Sequence, residues 1–290
     1  IIMVSLAEYL IGIAVILMLA IFAFKRDALT EEGTLTAIAL GLFVFLFPLA
    51  PVNGRIWLVL LGVFFLSSFF VTKFSEKNKE EVNREFAKGS TRDFMQVFAN
   101  GAAAALFAVV YHFYPIDAVF VAFCVVLATV NADTWATELG ILSSDKPFLI
   151  TSLKRVEKGV SGAVSRFGLF AAFLGALTIA GTAIFLFAFE TRYFASSFLI
   201  PGGVALFLPL VTIFGTLGSL VDSLLGATLQ VMYYCKKCKR ETERTTHHCG
   251  NQTVYHKGIK FFDNDVVNLA SSLIAGAAAF FAYKRMSAKT

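Results

Sequence analysis

The chain has 290 residues, 57% of them hydrophobic and 16% charged, with 32 phenylalanines, a mean hydropathy of +0.73 and a formal net charge of +5. Soluble domains carry about a quarter charged residues, so this composition excludes a soluble globular domain and a disordered or collagen-like chain. Four cysteines in such a length also exclude a disulfide-stapled secreted scaffold.

A helix crosses the hydrocarbon core with roughly 20 apolar residues, satisfying its own backbone hydrogen bonds. In chain order such runs fall at Ile2–Phe24, Gly33–Ala50, Ile56–Thr72, Phe94–Tyr114, Ile116–Asp133, Phe167–Phe189, Ser197–Tyr234 and Val266–Tyr283. They are continuous rather than alternating, which predicts an all-α polytopic membrane protein over an outer-membrane barrel. The first run contains Glu8 and carries Lys25 and Arg26 after it, so it reads as a membrane helix and not as a secretory signal. Because the sequence opens on Ile1 and not on methionine, it is expected to begin inside a longer chain.

The seventh run is too long for one straight span. It holds Pro201, Pro209, Gly215, Gly218 and Gly226, with Asp222 deep inside. A break near Gly215–Gly218 is expected, giving a full helix and then a shorter or re-entrant piece, and hence eight or nine spans in all. Three regions are expected: N-terminal membrane helices over 1–72, a cytoplasmic mixed-charge linker helix over 73–93, and a catalytic membrane domain over 94–290 with a Cys/His insert at 235–260.

Lysine and arginine are retained on the cytoplasmic side of membranes. The connections after the first, third, fifth and seventh spans hold 20 of the 25 basic residues, those after the second and sixth hold only Arg55 and Arg192, and the fourth holds none. This predicts a cell-membrane protein with its N-terminus outside and its active site facing the cytoplasm. Lys284, Arg285 and Lys289 would then lie outside unless the Ser197–Tyr234 region supplies an extra pass or hairpin.

Ionisable groups cost about 2.5–3.5 kcal/mol at the centre of a membrane helix, so each asks for a reason. At the end of the fifth span, Asn131, Thr134 and Glu138 share one helix face, with Asp133 and Thr137 on the adjoining one. Carboxylates among neutral oxygens are ligands for Mg²⁺; the competing reading is a capped helix end with Trp135 as an interfacial anchor. In the seventh run Ser219, Asp222 and Ser223 share a face. A small-residue packing seam explains the glycines around them but not the carboxylate. At the start of the last span stand Asp263, Asn264, Asp265 and Asn268, of which Asp263 alone is explained as a helix cap. Between these clusters Lys154, Arg155, Lys158, Gly159, Ser161, Gly162 and Ser165 lead to a helix N-terminus, a combination suited to cradling phosphate. All four segments lie on the predicted cytoplasmic side, which predicts one site for phosphate and divalent metal. Neither a P-loop nor a dinucleotide-binding glycine fingerprint occurs, and no nucleic-acid partner is expected.

Cys235 and Cys238, followed by His247, His248, Cys249 and His256, have zinc-knuckle spacing, and a reducing cytoplasm disfavours a disulfide. A structural Zn²⁺ on Cys235, Cys238, Cys249 and His248 is expected, with His247 or His256 as alternative fourth ligands; free thiols are the other reading. Cys124, in an apolar span, is expected to be a packing residue.

Asn131–Gly140, Leu149–Ser165, Gly218–Gln230, the cysteine insert and Asp263–Asn268 together resemble the integral-membrane family that includes the phytyl-phosphate kinase of vitamin E biosynthesis. The resemblance runs from about Arg92 to the C-terminus in the same order. It implies conversion of an isoprenoid monophosphate, of phytyl or geranylgeranyl type, to the diphosphate at the expense of a nucleoside triphosphate. Asp133, Glu138, Asp222 and Asp265 would hold Mg²⁺; Lys154, Arg155, Lys158 and the Gly159–Ser165 backbone would hold phosphates; the prenyl tail would lie between apolar helices in contact with membrane lipid. The alternatives are a membrane prenyltransferase, to whose Asn-Asp-x-x-Asp motif Asn264–Asn268 comes close but for its last residue, and a lipid-phosphate transporter with a broken helix.

Overall fold

A computed structural model describes residues 6–48, 54–76, 91–193 and 199–288. Most of the expected linker helix, 77–90, lies outside the described residues. Eight helices are described: α1 (Leu6–Lys25), α2 (Glu31–Leu46), α3 (Gly54–Ser75), α4 (Phe94–Phe113), α5 (Asp117–Gly140), α6 (Arg166–Tyr193), α7 (Gly203–Thr228) and α8 (Asn264–Ser287). All but α2 are long and apolar enough to cross a membrane. The protein is an all-α polytopic membrane protein.

Side-chain caps set several helix starts. Thr30 accepts from the Gly33 N–H at 3.1 Å, Asp93 and Gln96 close a reciprocal capping box, and Asp263 accepts from the Val266 N–H at 3.1 Å. At the core is α5, which packs against α3, α4, α6, α7 and α8. Its residues from Ala118 to Ala132 are buried, so helices rather than lipid surround it. On its N-terminal half Phe120 meets Trp57 of α3 edge-on and Phe123 packs tilted against the same ring, and Phe120 also meets Phe187 of α6 and Phe207 of α7. This aromatic cluster is fully buried.

Contacts sort the connections into two ends. At one end Thr30 donates to the Arg92 carbonyl at 3.0 Å, the α3 and α5 C-termini meet through Thr72 and Glu138, and Ser161 donates to Gln230 at 2.6 Å. The four basic connections therefore gather there, as the charge asymmetry predicts. At the opposite end Arg55 bridges Glu8 at 2.6 Å and Glu190 at 3.1 Å, and Tyr283 donates to Asp117 at 3.2 Å. The short α2 runs parallel to α4: Gly33 abuts Arg92 and Asp93 at the basic end, and the Phe47 carbonyl meets His112 at the other.

The expected break at Gly215–Gly218 does not occur. α7 is continuous for 26 residues and carries Pro209 inside it. Its glycines are seams: a β-carbon at Gly215 would come 2.6 Å from that of Ala128, and one at Gly218 would come 2.2 Å from Thr129 Oγ1. Small residues here let α7 press against α5, which is the close approach that membrane helices use in place of hydrophobic driving force. Without a hairpin in α7, Lys284 and Arg285 lie at the same end as α1's first turn, and the basic C-terminus remains an exception to the charge rule.

Candidate functional site

A cavity of about 360 Å³ opens among the ends of α3, α5, α6, α7 and α8 at the basic end of the bundle. Its described lining brings seven carboxylates together: Glu76, Asp133, Glu138, Asp222, Glu243, Asp263 and Asp265. Against them it sets two cationic side chains, Arg92 and Lys158. Thr134, Gly159, Ser161, Gly162, Ser165, Ser219, Ser223 and Asn264 also line it, so most of the residues expected from the sequence converge here.

Three of the acids are held by hydroxyls of neighbouring helices. Ser219 donates to Asp133 at 3.4 Å, and Ser271 of α8 donates to Asp222 at 2.9 Å. Glu138 receives Thr72 Oγ1 at 3.1 Å and the Ser75 hydroxyl, both from α3. Asp133 of α5 and Asp222 of α7 line the same cavity from facing helices. Two carboxylates held together in a space with few cations form a donor set of the kind that takes a hard divalent ion. The N-termini of α6 and α8 also reach the cavity through Gly168 and Asn264, adding the positive ends of two helix dipoles.

The glycine loop forms one wall. Gly162 has φ +76°, and a β-carbon there would come 2.4 Å from that of Ala227, so the loop can lie on α7 only with glycine at this point. Ser165 accepts from the Gly168 N–H at 2.9 Å and so caps α6 from inside the cavity wall.

Four expected site residues fall elsewhere. Asn131 is fully buried between helices, accepting from Ser67 at 2.9 Å and Ser68 at 3.3 Å and donating to the Gly175 carbonyl at 2.8 Å. It fastens α5 to α3 and α6 and does not face the cavity. Lys154 and Arg155 are exposed beside a two-stranded hairpin, β1 (Phe148–Leu149) and β2 (Ala163–Val164), outside the cavity lining. The Arg155 guanidinium lies 4.8 Å over the Phe148 ring and donates to the Lys146 carbonyl. Asn268, one turn beyond Asn264, is also outside the lining. Lys158 does line it, but its ammonium caps the α5 C-terminus, donating to the carbonyls of Ile141 at 2.8 Å and Ser143 at 2.6 Å.

The sequence reading missed Arg92, Gln96, Gln230 and Glu243. Arg92 and Glu243 lie in polar connections, and Gln96 and Gln230 are uncharged residues near the ends of apolar runs, so none gives the signal of a carboxylate inside a run that exposed the acids. A pairing rule would not have found them either, because Gln230 and Glu243 meet at 2.7 Å only after the insert folds back.

That insert is a three-stranded antiparallel sheet in the order β4 (Arg240–Thr242), β3 (Met232–Cys235), β5 (Val254–Lys257). Cys235, Cys238, His247 and Cys249 offer ligand atoms that all lie within 4.8 Å of one another. Four ligands around zinc at about 2.3 Å stand roughly 3.8 Å apart, so these residues fit a tetrahedral site. The Cys235–Cys249 sulfur separation is 3.7 Å. Asn251, through its backbone, and then His247 hold the Cys249 thiol down to about 5. The expected fourth ligand, His248, is displaced by its neighbour, the alternative His247: His247 is the buried one, 3.1 Å from the Cys249 sulfur, while His248 lies tilted against its ring. His256 is 3.1 Å from Glu241. Cys124 is fully buried in α5, as a packing residue.

The family model described as integral membrane protein DUF92 matches residues 14–276. Protein PGR of Arabidopsis thaliana is 31% identical over 271 residues, covering 89% of this chain and 90% of that protein. An uncharacterised membrane protein of Methanocaldococcus jannaschii is 31% identical over 227 residues, 78% of this chain and 85% of the relative. Another from Synechocystis is 31% identical over 224 residues, 74% and 77% of the two chains. No solved structure matches.

Proposed function

Since the chain belongs to the DUF92 integral membrane family, we propose that its acidic cavity is the phosphoryl-transfer site of a Mg²⁺-dependent isoprenoid-phosphate kinase, which makes a prenyl diphosphate from the monophosphate and a nucleoside triphosphate. The observation that carries the reading is the imbalance of seven carboxylates against Arg92 and Lys158 in one cavity at the basic end of a membrane bundle. A cavity so acidic repels phosphate unless divalent cations stand between, and its position beside lipid suits an acceptor with an apolar tail. We place this end in the cytoplasm on the strength of its basic connections.

The chemistry asks little of the protein beyond placement. A phosphate monoester has its second pKa at about 6, so its oxygen is already an anion at neutral pH and needs no strong general base. That oxygen forms a bond to the γ-phosphorus while the bond to the departing nucleoside diphosphate breaks, with the two oxygens in line. Mg²⁺, when bound, would supply neutralisation of the phosphate charges. Asp133 and Asp222, with Glu138 and Asp265, would hold it directly or through water. Ser219 and Ser271 fix the orientation of Asp133 and Asp222. The Gly159–Ser165 loop and the α6 N-terminus would hold phosphate oxygens, and Arg92 the anion on the α3–α4 side. Zinc on Cys235, Cys238, His247 and Cys249 would stiffen the insert that carries Glu243 to the cavity.

Carboxylates on facing ends of α5, α7 and α8 also suit a prenyltransferase holding a diphosphate. Purified protein in detergent should be given geranylgeranyl or phytyl monophosphate with Mg²⁺ and each of ATP, CTP, GTP and UTP. The expected result is a diphosphate from at least one pair, lost on chelation. Absence of diphosphate with every pair, or release of inorganic diphosphate from a prenyl diphosphate with transfer to an acceptor, overturns the kinase reading.

A further inference from the structure

Beside the acidic cavity lies a second, apolar one of about 100 Å³ between α1, α2, α3 and the first turns of α4. Leu19, Leu40, Leu58, Phe65 and Val97 wall it, and its lining is carbon apart from Arg92 and Asn100. Arg92 lines both cavities. Its backbone is pinned on each side, donating to the Ala28 carbonyl at 2.9 Å and accepting from the Thr30 N–H at 3.0 Å, which fixes the residue at the seam between the two cavities.

From this juxtaposition we propose that the apolar cavity is the tail subsite: it receives the phosphate-proximal isoprene unit of a prenyl monophosphate, whose phosphate rests on Arg92 and faces the acids of the larger cavity. The identity of the head group rests on the phosphoryl-transfer reading. Three arguments carry the placement. A lipid monophosphate changes from anion to hydrocarbon across one bond, and Arg92 is the lining cation at which the protein makes the same change. An apolar cavity of about 150 Å³ takes a six-carbon ring, so one somewhat smaller takes a five-carbon unit and leaves the remaining chain to the bilayer. A glycerophospholipid would put its ester oxygens here, where carbon walls return no hydrogen bonds for the water they lose. The N-terminal helices thereby acquire a role in substrate choice.

The test is photolabelling of the full chain in detergent with a prenyl monophosphate that carries a diazirine on its first isoprene unit. Labels are expected on the walls contributed by α1–α4, competed by geranylgeranyl monophosphate and not by phosphatidic acid. Gly62→Leu supplies the second arm. A β-carbon at Gly62 meets only Leu19 Cδ1 at 3.8 Å, so the substitution fills the cavity without forcing the backbone. It is expected to lower labelling and raise the KM for the lipid about tenfold, the scale of a misfit of one or two methylenes, with the KM for the nucleotide unchanged. Labels on α6–α8 instead, competition by phosphatidic acid, or an unchanged Gly62→Leu variant overturns the subsite even where diphosphate is formed. Labels on α1–α4 with no diphosphate from any donor leave the subsite standing and remove the kinase.

Discussion

Among individual residues, the consequential division is between acids that face the cavity and bases that do not. Asp133→Asn and Asp222→Asn are each expected to lower diphosphate formation by at least about 100-fold, the scale on which a preorganised electrostatic group is missed. Lys154→Ala and Arg155→Ala, exposed and outside the lining, are expected to leave kcat/KM within about twofold, as surface changes do. The same assay decides both. The Cys/His cluster divides two adjacent histidines in the same way: if it holds the proposed zinc, metal analysis should find the ion lost from His247→Ala and retained in His248→Ala. The acids were legible because a carboxylate inside an apolar run stands out in any reading. The bases were not, since juxtamembrane lysines and arginines look alike whether they bind phosphate or lie on a hairpin. Asn131 was misread for a third reason. Helical periodicity says which residues share a face, but not which neighbour that face meets, and here the neighbours are Ser67, Ser68 and the Gly175 carbonyl.

The helices themselves were largely written in hydropathy, because a span must satisfy its own backbone and therefore shows as a continuous run. What hydropathy does not record is whether a glycine in such a run breaks the helix or lets another helix in. Gly215 and Gly218 do the second, and a β-carbon at Gly218 has Thr129 in its way. Gly218→Val is accordingly expected to separate α5 from α7, costing at least about 1–3 kcal/mol as overpacked seams do. Thermal unfolding followed by size-exclusion chromatography should show a lower Tm and a smaller folded fraction, while Gly181→Ala, with open space at its β-carbon, leaves both unchanged. The insert was legible as a metal motif, yet its reach to the cavity through Gln230 and Glu243 depends on how β3–β5 fold back, which spacing alone does not state.

For the molecule as a whole, the two ends differ in kind. One gathers the four basic connections around an acidic cavity; the other is tied by Arg55 to Glu8 and Glu190 and filled by the aromatic cluster of Trp57, Tyr111, Phe120, Phe123, Phe187 and Phe207. Cysteines introduced by Lys154→Cys and Arg192→Cys should add labelling by an impermeant maleimide, above that of the unsubstituted chain, from opposite faces of sealed vesicles, Lys154→Cys from the cytoplasmic one. Labelling of both from one face would overturn the topology. The buried aromatic cluster has an electrical consequence. Moving one elementary charge through the membrane field exchanges about 2.3 kcal/mol per 100 mV. With the far half of the bundle closed by aromatic rings, the phosphates of the proposed reaction would enter, react and leave at one face and cross almost none of that field. Turnover in proteoliposomes should thus be the same at zero and at strongly negative voltage, whereas a carrier moving the same anions across the bilayer would speed or stall as the potential is changed.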